Sequence, residues 1–377
     1  MTEQNRASVA HPYRSVTVIG AGSWGTALAA VLARAGRSVT IWGRNEDAAH
    51  EINTHCRNSK YLPDIDLPPM RATTDLADAL KGAEAVLVVT PSRTLRDMCA
   101  RIAPHVDPAA PVALCAKGIE TGTGLLMSEV AAEELRGNPI GAISGPTFAA
   151  ETAMAHPTAA TVAFPFTYHD RLAPHESPAA RLAVSLGSAT FRPYLSDDLT
   201  GVEIGGAVKN VIAIACGMMM GAGFAENTRA ALISMGIEEM KALAEALGGR
   251  RETVTGLTGT GDLTLTCSST TSRNMSLGMQ LGQGIARDKC FDGRPVVVEG
   301  EVNAVSIVQL ADRIGLPMPI CRVVHAILHD GADLRGTFAD FWSRPIQAEP
   351  RAMEISLDHP FGTAAEPALP ELDKDIA

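Results

Sequence analysis

The chain has 377 residues, 46% of them hydrophobic and only 4% aromatic, with a formal net charge of −10. At about 150 residues per domain this suggests two domains, with one as the alternative, and apolar content enough for a sizeable core. The acidic balance argues against a nucleic-acid partner, which needs a basic face, but leaves room for an anionic substrate held by a few local cations.

In chain order, residues 15–20 are short, β-branched and ended by glycine, which reads as a buried strand. Residues 26–35 form an Ala/Leu-rich helix stopped by Gly36, and 38–42 a second strand. A helix is expected over 72–80 and a third strand over 85–90, ended by Pro91. A fourth strand follows at 112–116, a helix at 125–136, and shorter strands at 142–144, 159–164 and 190–194. Strands alternating with helices imply βαβ units and a parallel sheet. After Ser196 strand signals almost vanish, and helices are expected over 197–220, 228–247, 272–283, 301–314 and 320–329. The tail from Ala348 is rich in Pro, Glu and Ala and is expected to be loose.

Seven scattered cysteines include no CxxC pair, and none of the ten histidines sits in a ligand pair. Neither a disulfide framework nor a metal site is expected, and a reducing cytoplasm is the simplest home. Residues 1–14 are polar and lack the apolar centre of a signal peptide. The most apolar long stretch, 211–225, is glycine-rich and short of the ~20 residues that cross a bilayer, so no membrane segment is expected.

Gly20-Ala21-Gly22-Ser23-Trp24-Gly25 is a G-x-G-x-x-G motif that follows a strand and opens a helix. Gly20 permits the tight turn, Gly22 lets a pyrophosphate approach the backbone, and Gly25 lets helix and strand pack closely. The helix N-terminus offers N–H groups to the phosphates. These features point to a nicotinamide dinucleotide. An acidic residue ~20 positions on would favour NAD. Arg44 stands there instead and suits the 2′-phosphate of NADP, while Glu46 and Asp47 keep NAD open. The expected architecture is α/β: a Rossmann-type, mainly parallel sheet domain over 15–195, an all-helical domain over 196–347 and a tail over 348–377.

Three further segments carry chemistry. Lys117 follows the fourth strand in Cys115-Ala116-Lys117-Gly118-Ile119-Glu120, at the sheet edge where α/β proteins bind ligands. Gly205 and Gly206 interrupt a helix at a cost of roughly 1 kcal/mol each, which implies close packing against backbone or ligand. Lys209 and Asn210 follow amid apolar neighbours, where a lysine must be desolvated or paired. The third segment is Gly259-Thr260-Gly261-Asp262, with Thr266 and Ser272-Arg273-Asn274 beyond it. For Asp262 a helix N-cap is the structural alternative, and for Arg273 a surface ion pair. Thr266 reads equally as a substrate contact or an ordinary hydroxyl, and Met218-Met219-Met220 reads as core.

Together with residues 18–29 (VIGAGSWGTALA), Asn58-x-x-Tyr61-Leu62-Pro63, residues 143–149 (ISGPTFA), Gly282-Gln283-Gly284 and Val298-Glu299-Gly300, these segments form an ordered series. The chain thereby resembles the bacterial-type NAD(P)-dependent glycerol-3-phosphate dehydrogenases from about Ser15 to Gly336. The resemblance implies reversible reduction of dihydroxyacetone phosphate to sn-glycerol 3-phosphate for phospholipid synthesis. It implies Lys209 as general acid/base, with Lys117 and Asp262 also in the catalytic set. Lys117, Gly145, Thr147, Lys209, Asn210, Asp262, Ser272, Arg273 and Asn274 are implied as substrate contacts. The implied dinucleotide contacts are Ser23, Trp24, Arg44, Lys117, Ala149, Arg273, Val297 and Glu299.

In this chemistry hydride adds to the C2 ketone and the developing alkoxide needs a proton. A lysine can supply it if burial and a neighbouring cation, such as Lys117, lower its pKa from ~10.4. Asp262 is expected to orient Lys209 or a substrate hydroxyl. Two rivals remain: a related two-domain β-hydroxyacid-type dehydrogenase, and a non-catalytic dinucleotide sensor. A homodimer is compatible with the glycine-rich helical faces.

Overall fold

A computed structural model describes residues 9–347 and 356–358. The start of the polar N-terminal arm and most of the expected loose tail lie outside the described residues. The chain forms two compact units: Met1–Ala207 with Leu243–Asp262, and Val208–Ala242 with Leu263–Ala377.

The first unit contains, in order, β1 (Ser15–Ile19), α1 (Ser23–Arg34), β2 (Ser38–Trp42), α2 (Glu46–His55), β3 (Arg71–Thr73), α3 (Leu76–Leu80), β4 (Ala85–Val88) and α4 (Leu95–Ile102). It continues with β5 (Val112–Leu114), α5 (Met127–Glu134), β6 (Ile140–Ser144), α6 (Ala149–Ala153), β7 (Thr158–Ala163), α7 (Tyr168–Leu172), α8 (Pro178–Leu186) and β8 (Phe191–Ser196). The strands make one sheet in the order β3-β2-β1-β4-β5-β6-β7-β8. Every neighbouring pair is parallel except β6 with β7.

The period of two along β1 divides its side chains between two cores. Val16 and Val18 join Leu28, Val31 and Leu32 of α1 on one face. Ile19 joins Val86, Val88 and Met98 on the other. Both faces are covered, which is why the strands read as near-continuous apolar runs. Thr17 is a buried polar residue of β1, and its hydroxyl donates to Ala79 O at 2.6 Å.

The helix expected over 72–80 is two elements: Ala72 belongs to β3, and α3 begins only at Leu76. The β-branched Thr73-Thr74 pair favours extended backbone, and the Asp75 carboxylate then caps α3 by accepting from Asp78 N at 3.0 Å. Helix α2 buries only Ala48, Ala49 and Ile52, a single turn of apolar spacing in an otherwise polar run.

The chain passes between the units within α9 (Leu199–Gly221) and α10 (Glu226–Ala246). α11 (Arg251–Val254) belongs to the first unit, and α12 (Asp262–Cys267) begins at its last residue. The second unit continues through α13 (Arg273–Gly282), α14 (Glu299–Ile314), α15 (Pro319–His329) and α16 (Leu334–Trp342), with Ile346–Gln347 paired antiparallel to Ser356–Leu357. Helices α9 and α13 nearly touch backbones: a Cβ on Gly217 would lie 2.3 Å from Met275 O, and one on Gly278 would lie 2.2 Å from Ile214 O. That contact ties the start of α13, with its Ser-Arg-Asn run, to the middle of α9.

Residues 211–221 of the apolar stretch expected to be too short for a bilayer belong to a longer helix. α9 has 23 residues and is long and apolar enough by composition to cross one, with 89% of its apolar window buried. Glu203 and Lys209 break the apolar run in the sequence but not the helix. Met218 and Met219 are fully buried in it, as expected of core residues, while Met220 is half-buried.

Candidate active site

The glycine loop lies where the strand order reverses, beside the end of β4. Gly20 has φ +121°, and a Cβ there would sit 2.4 Å from Val89 O. At Gly25 a Cβ would collide with Gly20 O at 1.8 Å, so this glycine is what allows α1 to start so close to β1. Gly22 differs, because a Cβ on it would meet no protein atom within 4 Å. That open side, with no acidic residue in the first turn of α1, fits the approach of a pyrophosphate to the helix N-terminus. Ser23 donates to Tyr61 O at 3.0 Å, and half-buried Trp24 packs against the core. Arg44 is exposed just beyond β2, while Asn45 caps α2 by accepting from Ala48 N at 2.7 Å.

Lys117, after β5, donates to Asp262 Oδ2 at 2.6 Å, with side-chain exposures of 16% and 3%. Asp262 is the first residue of α12 and follows a π-turn over Leu257–Gly261, so the N-cap alternative does not describe it. The partner in this ion pair is Lys117, a contact that spacing gave no means of anticipating. Removing one partner of such a buried pair typically costs about 3–5 kcal/mol, because the other charge is left uncompensated. Gly206 explains itself here: a Cβ on it would lie 3.2 Å from Lys117 Cγ and 3.3 Å from Ser144 Oγ. Gly205 presses on Thr258 O in the same way, at 2.8 Å. Gly145 follows β6, where a Cβ would come within 2.9 Å of Ala160 Cα. Thr147 donates to Gly145 O at 3.3 Å, and Ala149 opens α6. Burial pushes the Cys115 thiol up to about 12, against the Lys117 charge and a hydrogen bond with Trp24, which leaves a poor nucleophile.

In the second unit Lys209 is buried and donates to Thr266 Oγ1 at 2.8 Å. Asn210 Nδ2 lies 3.4 Å from Glu299 Oε2, and Asn210 Oδ1 accepts from Asn274 Nδ2 at 2.9 Å. Asn274 Oδ1 in turn accepts from Gly300 N at 2.9 Å. The structure thus gathers two polar groups in this unit: Lys209 with Thr266, and Asn210 with Asn274 and Glu299. Ser272 stands aside as the N-cap of α13, accepting from Met275 N at 3.3 Å. Arg273 is exposed with no ion pair among the described residues, contrary to the surface-pair alternative. Val297 is 38% exposed ahead of α14.

Two groups escaped sequence reasoning. Ser144 Oγ is buried without a hydrogen-bond partner among the described residues, at the end of β6 beside Gly206. Glu203 is buried with its carboxyl pushed up to about 7, chiefly by desolvation and against hydrogen bonds from Ser128. Ser144 lies within the 143–149 motif but was given no role there, and no motif covered Glu203, since a serine ending a strand and a glutamate in a helix are ordinary in sequence.

Comparison with known proteins agrees with this geometry. Residues 15–168 match the family model of the NAD-dependent glycerol-3-phosphate dehydrogenase N-terminus, and 198–339 match that of its C-terminus. The glycerol-3-phosphate dehydrogenase [NAD(P)+] of Rhodospirillum rubrum is 46% identical over 93% of this chain and 98% of its own. The crystal structure of glycerol-3-phosphate dehydrogenase from Coxiella burnetii superposes with a TM-score of 0.79 at 36% identity, covering 88% of this chain and 99% of its own. The enzyme of the same name from Saccharomyces cerevisiae follows at a TM-score of 0.76 and 28% identity, covering 86% and 98%. A glycine loop at the switch point of the sheet, a lysine–aspartate pair at its carboxyl edge and a buried lysine in a helical unit therefore occur in a chain that belongs to the NAD-dependent glycerol-3-phosphate dehydrogenase family.

Proposed function

We propose that this protein reduces dihydroxyacetone phosphate reversibly to sn-glycerol 3-phosphate with NADPH or NADH, and so feeds glycerophospholipid synthesis. Family membership supports the reaction. The observation that carries the mechanism is the burial of Lys209 against Thr266. The dinucleotide, when bound, supplies hydride to the ketone carbon. Lys209 gives its proton to the C2 oxygen and takes it back in the reverse direction. Thr266 fixes the ammonium, and Asn210, held by Asn274, offers a donor to the same oxygen. Asp262 holds the Lys117 ammonium, whose charge is assigned to the substrate. Ser272, Arg273 and Asn274 are assigned to the phosphate dianion, which guanidinium binds bidentately. Gly145 and Thr147 are assigned to the substrate, and Ser23, Trp24, Arg44, Ala149, Val297 and Glu299 to the dinucleotide.

Residues 15–195 are assigned mainly to dinucleotide binding and 196–347 mainly to substrate and catalysis, with Lys117, Gly145 and Thr147 in the first stretch and Val297 and Glu299 in the second as the exceptions. Seven free cysteines support a reducing cytoplasm. Replacing Lys209 by Ala is expected to lower kcat by roughly 10²–10⁴-fold while leaving dinucleotide affinity nearly intact. Steady-state rates beside a binding titration check this, and near-normal turnover would remove Lys209 from its role.

A further inference from the structure

Asn58 belongs to a motif that the reaction leaves without a task. Its side chain is fully buried. Its Nδ2 donates to Ala21 O at 3.0 Å and to Thr26 Oγ1 at 2.8 Å. The first acceptor is the carbonyl of the Ala21–Gly22 peptide, and the second lies in the opening of α1. We propose that Asn58 is a positioning residue that holds the glycine loop in the shape that receives the dinucleotide pyrophosphate. This rests on the reading of residues 20–25 as the dinucleotide loop.

A loop of small residues cannot hold its own shape by packing. Between Gly20, at φ +121°, and Gly22 only one methyl group is available. Fixing Ala21 O fixes the peptide plane that carries the Gly22 N–H, one of the groups facing the phosphates. Asn58 can do this because its own segment is clamped. Its carbonyl accepts from Tyr61 N at 3.0 Å and Leu62 N at 2.8 Å. Leu62, Ile65 and Leu67 are buried in the same core as α1. Glu51 accepts from Ser59 N at 2.9 Å, and Ser23 returns a second tie to Tyr61 O at 3.0 Å.

The other end of the amide sharpens the point. Asn58 Oδ1 is buried without a hydrogen-bond partner among the described residues. An apolar side chain would avoid that orphan acceptor, so what this position gains from an amide is its two donors. The reversed amide would set one oxygen against another at Ala21.

The test measures NADPH and NADH affinity by titration calorimetry, together with kcat, KM and Tm. Asn58→Asp keeps the shape but removes both donors, and is expected to raise the dinucleotide Kd about tenfold or more. Thr26→Val releases only one bond without changing charge, and is expected to raise Kd by a smaller factor. In both variants kcat at saturating dinucleotide and KM for dihydroxyacetone phosphate stay near wild type. A residue that merely supports the fold would lower Tm and the active fraction and leave Kd alone, and that result overturns the proposal. If Asn58→Asp fails to fold, Thr26→Val decides by the same criterion. Gly22→Ala separates the two readings, because its added methyl meets no protein atom. If Gly22→Ala leaves Kd unchanged, the loop is not the pyrophosphate site and the proposal falls with it. If Gly22→Ala weakens binding while the Asn58 and Thr26 variants do not, the role of Asn58 alone is refuted.

Discussion

A lysine in the middle of an apolar helix needs a hydrogen-bonding partner, and for Lys209 one such partner is Thr266. Arg44 is the opposite case: exposed, beyond the end of β2, and without an ion pair among the described residues. Its fork of donors is therefore available to a 2′-phosphate. Wild-type enzyme is expected to show a higher kcat/KM with NADPH than with NADH. Arg44→Ala should lower the NADPH value about tenfold or more, as loss of charge-assisted hydrogen bonds would, and barely move the NADH value. Initial rates with both cofactors decide it, and a strong NADH preference in the wild type would reverse the assignment.

At the scale of the elements, α9 carries the most constraint. It places Gly205 and Gly206 against Thr258 and Lys117, and Gly217 against α13. It also buries Glu203, which accepts from Ser128 N at 2.8 Å at the start of α5. Desolvation pushes the Glu203 carboxyl from 4.5 up to about 7. For an acid raised in the folded state, both states hold the proton below pH 4.5 and nothing is lost. Between about 4.5 and 7 the unfolded chain ionises first, and stability falls; above 7 the full cost is present. That cost is on the order of 3 kcal/mol, at about 1.4 kcal/mol per unit. Glu203→Gln keeps the shape and cannot ionise. Urea unfolding midpoints of variant and wild type should therefore draw apart as pH rises through this window. A constant difference would mean that Glu203 is not held protonated.

The whole molecule is two units, one of them built on a sheet with a separate core on each face. Anything that binds only the folded chain must stabilise it, and a dinucleotide at a hundredfold excess over its Kd adds about 2.7 kcal/mol. Thermal melts with NADPH, NADH and neither should rank in that order, and absence of any shift would contradict dinucleotide binding. The glycine faces that made a homodimer compatible with the sequence are, in α9 and α13, spent on each other. A self-association surface would have to lie elsewhere, and sedimentation would find it.

Much of this was legible before any coordinates. The glycine loop, the alternation of strands and helices, and the lysines at 117 and 209 are local patterns. Backbone sterics and side-chain period act over a few residues, so sequence neighbours suffice to reveal them. β3 and α2 were missed because each carries too few apolar residues to stand out; a cap and a β-branched pair set their bounds. The site's wiring was a different matter. Lys117 and Asp262 are 145 residues apart, Lys209 and Thr266 are 57 apart, and Asn58 and Ala21 are 37 apart. Such partners are chosen by whichever polar groups packing leaves within 3 Å of one another, and no local rule encodes that distance. By itself the sequence determined the fold class and the family, and it marked a candidate cofactor loop and candidate residues for the chemistry. Only the tertiary structure decided which of them hold each other in place, because burial makes an unpaired polar group costly and the fold determines who is near enough to pair.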